Sequence, residues 1–533
     1  MSRSKPDPVD RSKTGADFLQ LHLAEAPPGG LSDWLAERLR RAIADGRLPV
    51  GSKLPPSRVL AEELRVSRGV ITEAYQRLTE DGQIAGRGRA GTIVLAAPLA
   101  AHPATNTTTH TAAHTISVAY SDIAAPGDAA RVTAPDAAGA ARSPFHPRSR
   151  PGVGSVFWEE PAADVFESLR AGAARIDLTP GVPDLTAFPR AAWLRAERQV
   201  LARLSPGDFG YGDPRGARPF RDAVAHWLAR NRGIRAEPDD VVIVAGVSQA
   251  LGLVAGVLLD EGIDEIALED PGSLGVRQHL QSHRLATTAI PVDAAGLRVD
   301  ALRASGAPAV VLTPAHQFPT GVVLDGPRRR ELLRWAREGG LLLEDDYDAE
   351  HRYDRPPVPA VYSLLPEQVF YTGSVSKILA PALRVGWLLA PPRYRDAIIA
   401  RKRYADLGNA VLPQLVLAEL METGAMERHL RMLRNRHRRR RDAMIEAIGT
   451  HLPRARVHGA AAGLHLMITF DAAVRDTQLA AEALARGVKT QPLSWHYQQP
   501  GEPGLVLGYA ACTPSDAAEG IAILGRVVRE ALG

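Results

Sequence analysis

The sequence predicts an α/β protein with a small helical unit at its N-terminal end. Three observations carry that prediction. From about residue 161 to 533, short apolar runs alternate with amphipathic helical segments, the pattern of a mostly parallel sheet covered on both faces. Residues 17–94 are helical in period and close on a glycine-punctuated hairpin. Between them, residues 95–160 are rich in Ala, Pro, Thr, His and Ser and hold no sustained period, which predicts a flexible linker, too long for a loop inside one compact domain.

The bulk numbers exclude several classes. Hydrophobic content of 45% against 23% charged is ordinary for a globular chain of 533 residues, and a formal charge of +4 does not by itself mark a nucleic-acid binder. The polar start, MSRSKPDPVDRSKTG, has no apolar signal-peptide core. Val241 to Leu259 nearly reaches membrane-spanning length, but Ser248, Gln249 and glycines interrupt it, and it reads as a buried strand turning into a helix. The single cysteine, Cys512, excludes an intrachain disulfide and fits a reducing cytoplasm.

In the N-terminal unit, LSDWLAERLRRAIA (31–44) carries apolar residues at helical spacing. Ser57 is expected to cap a second helix, SRVLAEEL, after Pro55-Pro56, and Ser67 a third, RGVITEAYQRLTEDG, after the short turn Arg65-Val66. Two helices joined by so short a turn form a helix-turn-helix, whose second helix enters the major groove of DNA. QIAGRGRAGTIV, with Gly86, Gly88 and Gly91, suits a two-stranded wing. LPPSRVLAEELRVSRGVITEAYQRLTEDGQI followed by GTIV resembles the GntR family of winged-helix regulators. That resemblance implies that Arg58, Ser67 and Arg68 meet phosphates or base edges, while the wing, with Arg87 and Gly91, follows the backbone. Val70 departs from it, standing where relatives often carry threonine.

In the body, VVIVAG, EIALED, AVVLTP, LLLEDD, VFYTGS and VGWLLA are the expected strands. Only six of the 64 basic residues are lysines, and none lies between Lys53 and Lys377. Arginine serves for charge and phosphate binding but cannot form a Schiff base. Lys377 sits among small residues in Gly373-Ser374-Val375-Ser376-Lys377, with Arg384 seven residues on. Upstream, LLLEDDY ends a buried strand with Asp345 and Tyr347, and Ala245-Gly246-Val247-Ser248 marks a strand-to-helix junction that attracts phosphate. These are the groups pyridoxal 5'-phosphate needs: a lysine for its carbonyl, a carboxylate for the pyridine nitrogen, a phenol for the ring oxygen, and hydroxyls with an arginine for the phosphate. Each motif alone is weak.

Order and spacing make the set specific. GVPD (181–184), YGDPRG (211–216), AGVSQAL, EDPG (269–272), TPAHQFPTG (313–321), EDDYDAEHRY, GSVSK and LRVGW resemble fold-type I pyridoxal-phosphate enzymes of the aminotransferase class I group, over nearly all of residues 161–533. The resemblance implies a three-layer αβα domain with a smaller C-terminal α/β subdomain, and a Schiff base at Lys377. It further implies Asp345 on the ring nitrogen, Tyr347 on the ring oxygen, and Ser374, Ser376, Arg384 and Ser248 on the phosphate, with Tyr211 reaching the phosphate across a dimer interface. His316 or Gln317 takes part of the role of an asparagine that working aminotransferases carry where Phe318 stands here. A GntR-type head on such a body resembles the MocR/GabR subfamily of bacterial regulators.

Two departures bear on function. After EDPG the chain has Ser273, Leu274 and Gly275 where some relatives place a ring over the pyridine. In LVLGYA, Val506 stands where aminotransferases commonly carry the arginine that clamps the substrate carboxylate, and PLSWHY offers Trp495 rather than a charge. Loss of that bidentate clamp disfavours turnover of ordinary α-amino acids, unless Arg277 supplies it. The run Arg434–Arg441 (RNRHRRRR) is expected on a solvated helix face, with an auxiliary DNA track as the other reading. The linker histidines His102, His110 and His114 lack ligand spacing, and no metal is expected. The expectation is therefore a cytoplasmic DNA-binding regulator of operator DNA that senses an amine or amino-acid-like effector, or the cofactor itself, at Lys377. The alternative is an active aminotransferase with a DNA-binding appendage. The resemblance also implies a head-to-tail homodimer, and a linker of about 65 residues, spanning roughly 45 Å, permits each head to reach the partner's body.

Overall fold

The structure is a computed structural model that describes residues 31–44, 48, 51–80, 83–86, 91–94, 157, 161–353, 359–471 and 474–532. Residues 17–30 of the expected head, Arg87, and the linker apart from Phe157 lie outside the described residues.

In the head, α1 (Leu31–Ala44), α2 (Ser57–Glu63) and α3 (Arg68–Glu80) surround a core of Leu35, Leu39, Leu60, Ile71 and Leu78. Val66 N–H returns to the Ala61 carbonyl (3.0 Å) and Arg65 takes a left-handed φ of 52°, so α2 ends on a tight left-handed turn. Ser57 does not cap α2. Pro56 occupies that position, with extended backbone angles, and Ser57 is the first helical residue, because proline pre-sets the backbone there and needs no donor. The wing also gains a strand over the expected hairpin. β1 (Lys53–Leu54) pairs antiparallel with β3 (Thr92–Val94), which also pairs with β2 (Ile84–Gly86), so the free edge of β3 is covered.

The body is built on an eight-stranded sheet in the order Val241–Val244, Gly386–Leu389, Val369–Ser374, Leu341–Asp346, Ala309–Leu312, Glu265–Asp270, Ala286–Asp293, Gly296–Leu297. All six strands expected from sequence lie in it. The strands from Val369–Ser374 through Ala286–Asp293 run parallel, whereas Gly386–Leu389 is antiparallel to both neighbours. Apolar side chains alternate between the two faces: Val310 and Leu342 point into one cluster, Val311 and Leu343 into the other, each covered by helices. This is the three-layer αβα architecture.

The 27-residue helix Ala425–His451 leads into a second unit, a four-stranded antiparallel sheet (Ala455–His458, His465–Phe470, Gly504–Gly508, Gln491–Pro492) packed by helices Asp476–Ala485 and Pro514–Leu532. The short strand Ile176–Asp177, ahead of the large sheet in the chain, belongs to this unit, since it pairs with Val488–Lys489. Phe157 is buried there against Trp495 (ring centroids 5.4 Å), so packing of the body reaches back into the segment expected as linker.

The basic run Arg434–Arg441 lies on the 27-residue helix and is only partly a solvated face: Asn435, Arg438 and Arg439 are exposed, whereas His437 and Arg440 are buried. Arg436 and Arg440 both pair with buried Asp184, at 2.9 and 3.0 Å. Arg434 and Arg438 donate to the carbonyls of Glu350 and Tyr353, and Arg441 to that of Ala460. Leu430, Leu433, His437, Arg440 and Met444 recur at helical spacing as a buried stripe, which places two of the polar residues inside the fold. Among the described residues no helix is long and apolar enough to cross a membrane.

Candidate functional site

A cavity of about 960 Å³ opens at the carboxyl ends of the parallel strands and is closed on its far side by the C-terminal unit. Strand ends supply its chemistry. LLLEDD finishes in three carboxylates whose alternation separates them. Glu344 accepts from the backbone N–H of Val361 and Tyr362 (both 2.9 Å), and Asp346 is held by Arg232 and Tyr371, all buried. Asp345 alone of the three lines the cavity. Burial, with the neighbouring charge of Asp346, raises its carboxyl to about 7 against the Thr372 hydroxyl and the Lys377 charge. A desolvated carboxyl of this kind is ready for a cationic partner.

Lys377 reaches the cavity from the turn after strand Val369–Ser374, and its amine donates to the Gly181 carbonyl. Desolvation lowers its pKa, and Asp345 and Asp348 offset part of that shift. Ser374 and Ser376 flank it in the cavity wall. Arg384, with a left-handed φ of 51°, donates to the Ala245 carbonyl. Its guanidinium lies against Gly246, where a Cβ would meet it at 3.2 Å and push it back by a few tenths of an ångström, and the left-handed φ of 80° there also favours glycine. Gly246 precedes helix Val247–Asp260, and Ser248 in that helix's first turn also lines the cavity. A guanidinium, hydroxyls and the unpaired N–H groups of a helix start therefore converge at one end.

Tyr347 lines the same wall. His316 Nδ1 lies 3.1 Å from its hydroxyl and 2.8 Å from Asp348 Oδ2. Burial and the Asp348 charge push the phenol well above its usual value, while His316 holds the buried Asp348 carboxyl below its ordinary range. His316 fits because Gly463 has no side chain; a Cβ there would come within 2.0 Å of the ring. His316, Asp348 and His465 bring ligand-type atoms within 4.8 Å of one another. His316 Nδ1 and His465 Nε2 are engaged with Asp348 and with the Pro319 carbonyl respectively.

Two expected residues stand elsewhere. Gln317 is outside the cavity lining, since its amide donates to the carbonyls of Pro271 (2.8 Å) and Phe318 and accepts from Thr320, locking the turn. Tyr211 is 96% exposed and meets no cavity group within its own chain. Of the residues that sequence reasoning did not single out, His465, Lys489, His496 and Gln491 also line the cavity. They sit in the C-terminal unit; lysine scarcity was the one signal that could have found Lys489, and PLSWHY the one segment that held His496.

At the departures, Ser273 caps helix Leu274–Ser282 by accepting from Val276 N–H (3.3 Å). Val506 is fully buried in the C-terminal sheet, and Trp495 packs in the core instead of the cavity. Arg277 lines the cavity, but its two terminal nitrogens donate to the carbonyls of Tyr497 (2.9 Å) and Trp495 (3.0 Å).

In the head, Arg58, Ser67 and Arg68 are exposed at the start of α2 and α3, with Arg68 Nε 3.4 Å from the Ser57 hydroxyl. Val70 is half-buried against the head core, and Gly91 (φ 85°) opens β3.

Residues 31–94 match the gntR family of bacterial regulatory proteins, and residues 175–523 match the aminotransferase class I and II family. The chain is 30% identical over 495 residues to the probable rhizopine catabolism regulatory protein MocR of Rhizobium meliloti, covering 91% of each chain. It is 28% identical over 496 residues to the pyridoxine biosynthesis regulator PdxR of Corynebacterium glutamicum, covering 92% of this chain and 95% of that one. Among solved structures, the α-aminoadipate aminotransferase LysN of Thermus thermophilus superposes with a TM-score of 0.63 at 28% identity, over 71% of this chain and 97% of its own. Fold and site together define a winged-helix regulator with an aminotransferase-type body. The chain belongs to the MocR/GabR subfamily of GntR-family regulators, and its cofactor is pyridoxal 5'-phosphate.

Proposed function

We propose that the protein is a pyridoxal-phosphate-dependent transcription regulator that binds operator DNA through its winged helix and senses an amine, or the cofactor itself, at Lys377. The observation that carries this reading is the contrast inside the cavity. Lys377, Asp345, Tyr347, Ser374, Ser376, Arg384 and Ser248 line one cavity, which supports cofactor holding, while Val506, read as the position of the usual carboxylate clamp, is buried and apolar.

In this reading Arg384, Ser248, Ser374 and Ser376 hold the phosphate, Asp345 meets the ring nitrogen, and Tyr347, oriented by His316, meets the ring oxygen. Lys377 bonds to the carbonyl. The cofactor, when bound, supplies a carbonyl that captures amines. Asp345, buried and short of a cationic partner, gains one at the ring. Tyr211 and the nearby Phe209 are large and exposed (96% and 67%), which supports a second copy covering them and a role for Tyr211 across that interface. Arg58, Ser67 and Arg68 are the head's candidates for DNA contact, and that role places the protein in the cytoplasm.

One observation favours a second reading, a working aminotransferase: the Lys377 amine is desolvated toward a reactive neutral form. Two measurements decide. Purified protein is expected to show a visible cofactor band that Lys377→Ala abolishes; a band retained in the variant overturns the assignment. Common α-amino acids are expected not to convert the cofactor to its amine form in a single turnover, and rapid conversion would favour the enzyme.

A further inference from the structure

Toward the C-terminal unit the cavity wall is aromatic where the resemblance to working aminotransferases implies polar groups. Phe318, half-buried in that wall, stands at the asparagine position of such enzymes, and Val506 at the position read as the arginine clamp. The two replacements meet in one patch, since Phe318 packs on the buried cluster of Met467, Leu493 and Val506. Two imidazoles of the same wall extend it. The Phe318 ring centroid lies 4.9 Å from that of His465, tilted by 58°, and 5.0 Å from that of His496, edge-on at 82°. Burial pushes these two histidines down to about 3 and about 4, so both rings are neutral at physiological pH.

Hydrogen bonds fix the ring planes. His465 Nε2 lies 3.1 Å from the Pro319 carbonyl, and the two nitrogens of His496 lie 3.2 and 3.3 Å from the Gly272 carbonyl and the Gln491 amide. The charged side chains of this wall are answered within the chain: Lys489 by Asp177 (3.4 Å), Arg170 by Glu167 (2.7 Å), and Arg277 by the carbonyls of Tyr497 and Trp495. Glu269 accepts from the Thr313 hydroxyl (2.7 Å), and burial pushes its carboxyl up to about 7. A ligand carboxylate placed here would lose its hydration without gaining an uncommitted cation. An aromatic ring would meet three rings already set at the tilted and edge-on angles that aromatic pairs prefer.

We infer that Phe318, His465 and His496 receive the aromatic ring of an effector whose amine is turned toward Lys377, so that the effector is an arylalkylamine rather than an α- or ω-amino acid. This rests on the reading that the cavity holds the cofactor on Lys377, and it adds the class of ligand. The ring supplies the recognition that a carboxylate clamp supplies elsewhere, and the paired replacements Phe318 and Val506 are the sequence mark of that exchange.

The test titrates the full-length protein carrying its cofactor and follows the visible band. The probes are 2-phenylethylamine and tryptamine against propylamine, 2-cyclohexylethylamine, phenylalanine and β-alanine. At least one aryl probe is expected to shift the band at a concentration roughly tenfold or more below propylamine, the return on burying a ring. It is also expected to act about threefold or more below 2-cyclohexylethylamine, the share that belongs to ring geometry, and to act below both amino acids. Phe318→Leu, which keeps apolar bulk, is expected to erase the aryl preference over cyclohexyl, and Phe318→Tyr to keep it. The ranking of probes on the wild type stands independently of either variant's folding. Phenylalanine or β-alanine acting as well as the aryl amines, cyclohexyl acting as well as phenyl, or no response to any amine overturns the inference, as does an aryl preference that survives Phe318→Leu. A wild-type protein with no visible band contradicts the cofactor reading instead, so the two failures are distinguishable.

Discussion

The two ends of the cavity are built differently. At the cofactor end, Asp345 closes a strand of the large sheet, Lys377 and Arg384 lie on the connection between two of its strands, and Ser248 lies in the first turn of the helix that follows a third. At the far end the wall comes from the C-terminal unit, the clamp position is apolar, Arg277 is consumed by backbone carbonyls, and Lys489 is paired with Asp177. Holding a cofactor and gripping a substrate are thus separable properties of the same fold. A regulator needs the first in full and the second only as far as recognition demands.

That contrast can be broken or sharpened. The largest effect belongs to Lys377→Ala, which removes the cavity amine placed to bond the cofactor and is expected to abolish its visible band entirely. Next is Asp345. Its folded-state carboxyl is raised to about 7, above an unfolded value near 4, so its contribution favours the cofactor-free fold below about pH 4 and is lost as pH rises through about 7. Cofactor-free Asp345→Asn is expected to lack that loss and to exceed wild type in stability at pH 8 by at most about 4 kcal/mol. Urea unfolding at pH 5 and 8 measures it; a wild type whose stability does not fall relative to the variant contradicts the assignment. Arg384→Met removes a charge-assisted grip on phosphate and is expected to weaken cofactor binding by about 2 kcal/mol, some thirtyfold, in an equilibrium titration. The smallest change is Arg68→Ala, which is expected to leave the visible band untouched and to reduce the salt slope of operator binding by about one. An altered band with an unchanged slope would show that head and cavity had been wrongly separated.

Much of this was legible in the sequence because the relevant signals are local. Six apolar runs gave six strands of one sheet, since a strand buried on both faces must be apolar throughout. Lys377 stood out through the scarcity of lysine. Non-local features were harder to read. Linear charge density cannot reveal that Arg436 and Arg440 turn inward onto Asp184, some 250 residues away, although the stripe from Leu430 to Met444 carried the period that predicts it. Gln317 looked like a substitute for the absent asparagine, yet backbone carbonyls of its own turn and of Pro271 claim its amide. Lys489 is one of the six lysines and His496 lies in PLSWHY, but their place in the cavity, like that of His465, depends on the C-terminal unit folding back over the sheet, and no spacing announces that closure. Third-strand pairing by Lys53–Leu54 is likewise a tertiary choice, made by the free edge of β3.

The most direct test of the central claim is operator affinity at fixed salt, measured for the same preparation with cofactor bound, with cofactor removed, and for Lys377→Ala supplied with cofactor. The account predicts that the cofactor-loaded wild type differs from the cofactor-free form in affinity or in the extent of DNA protected, and that Lys377→Ala behaves as the cofactor-free form does. Identical DNA binding in all three states would contradict it, leaving the cavity without a connection to the head.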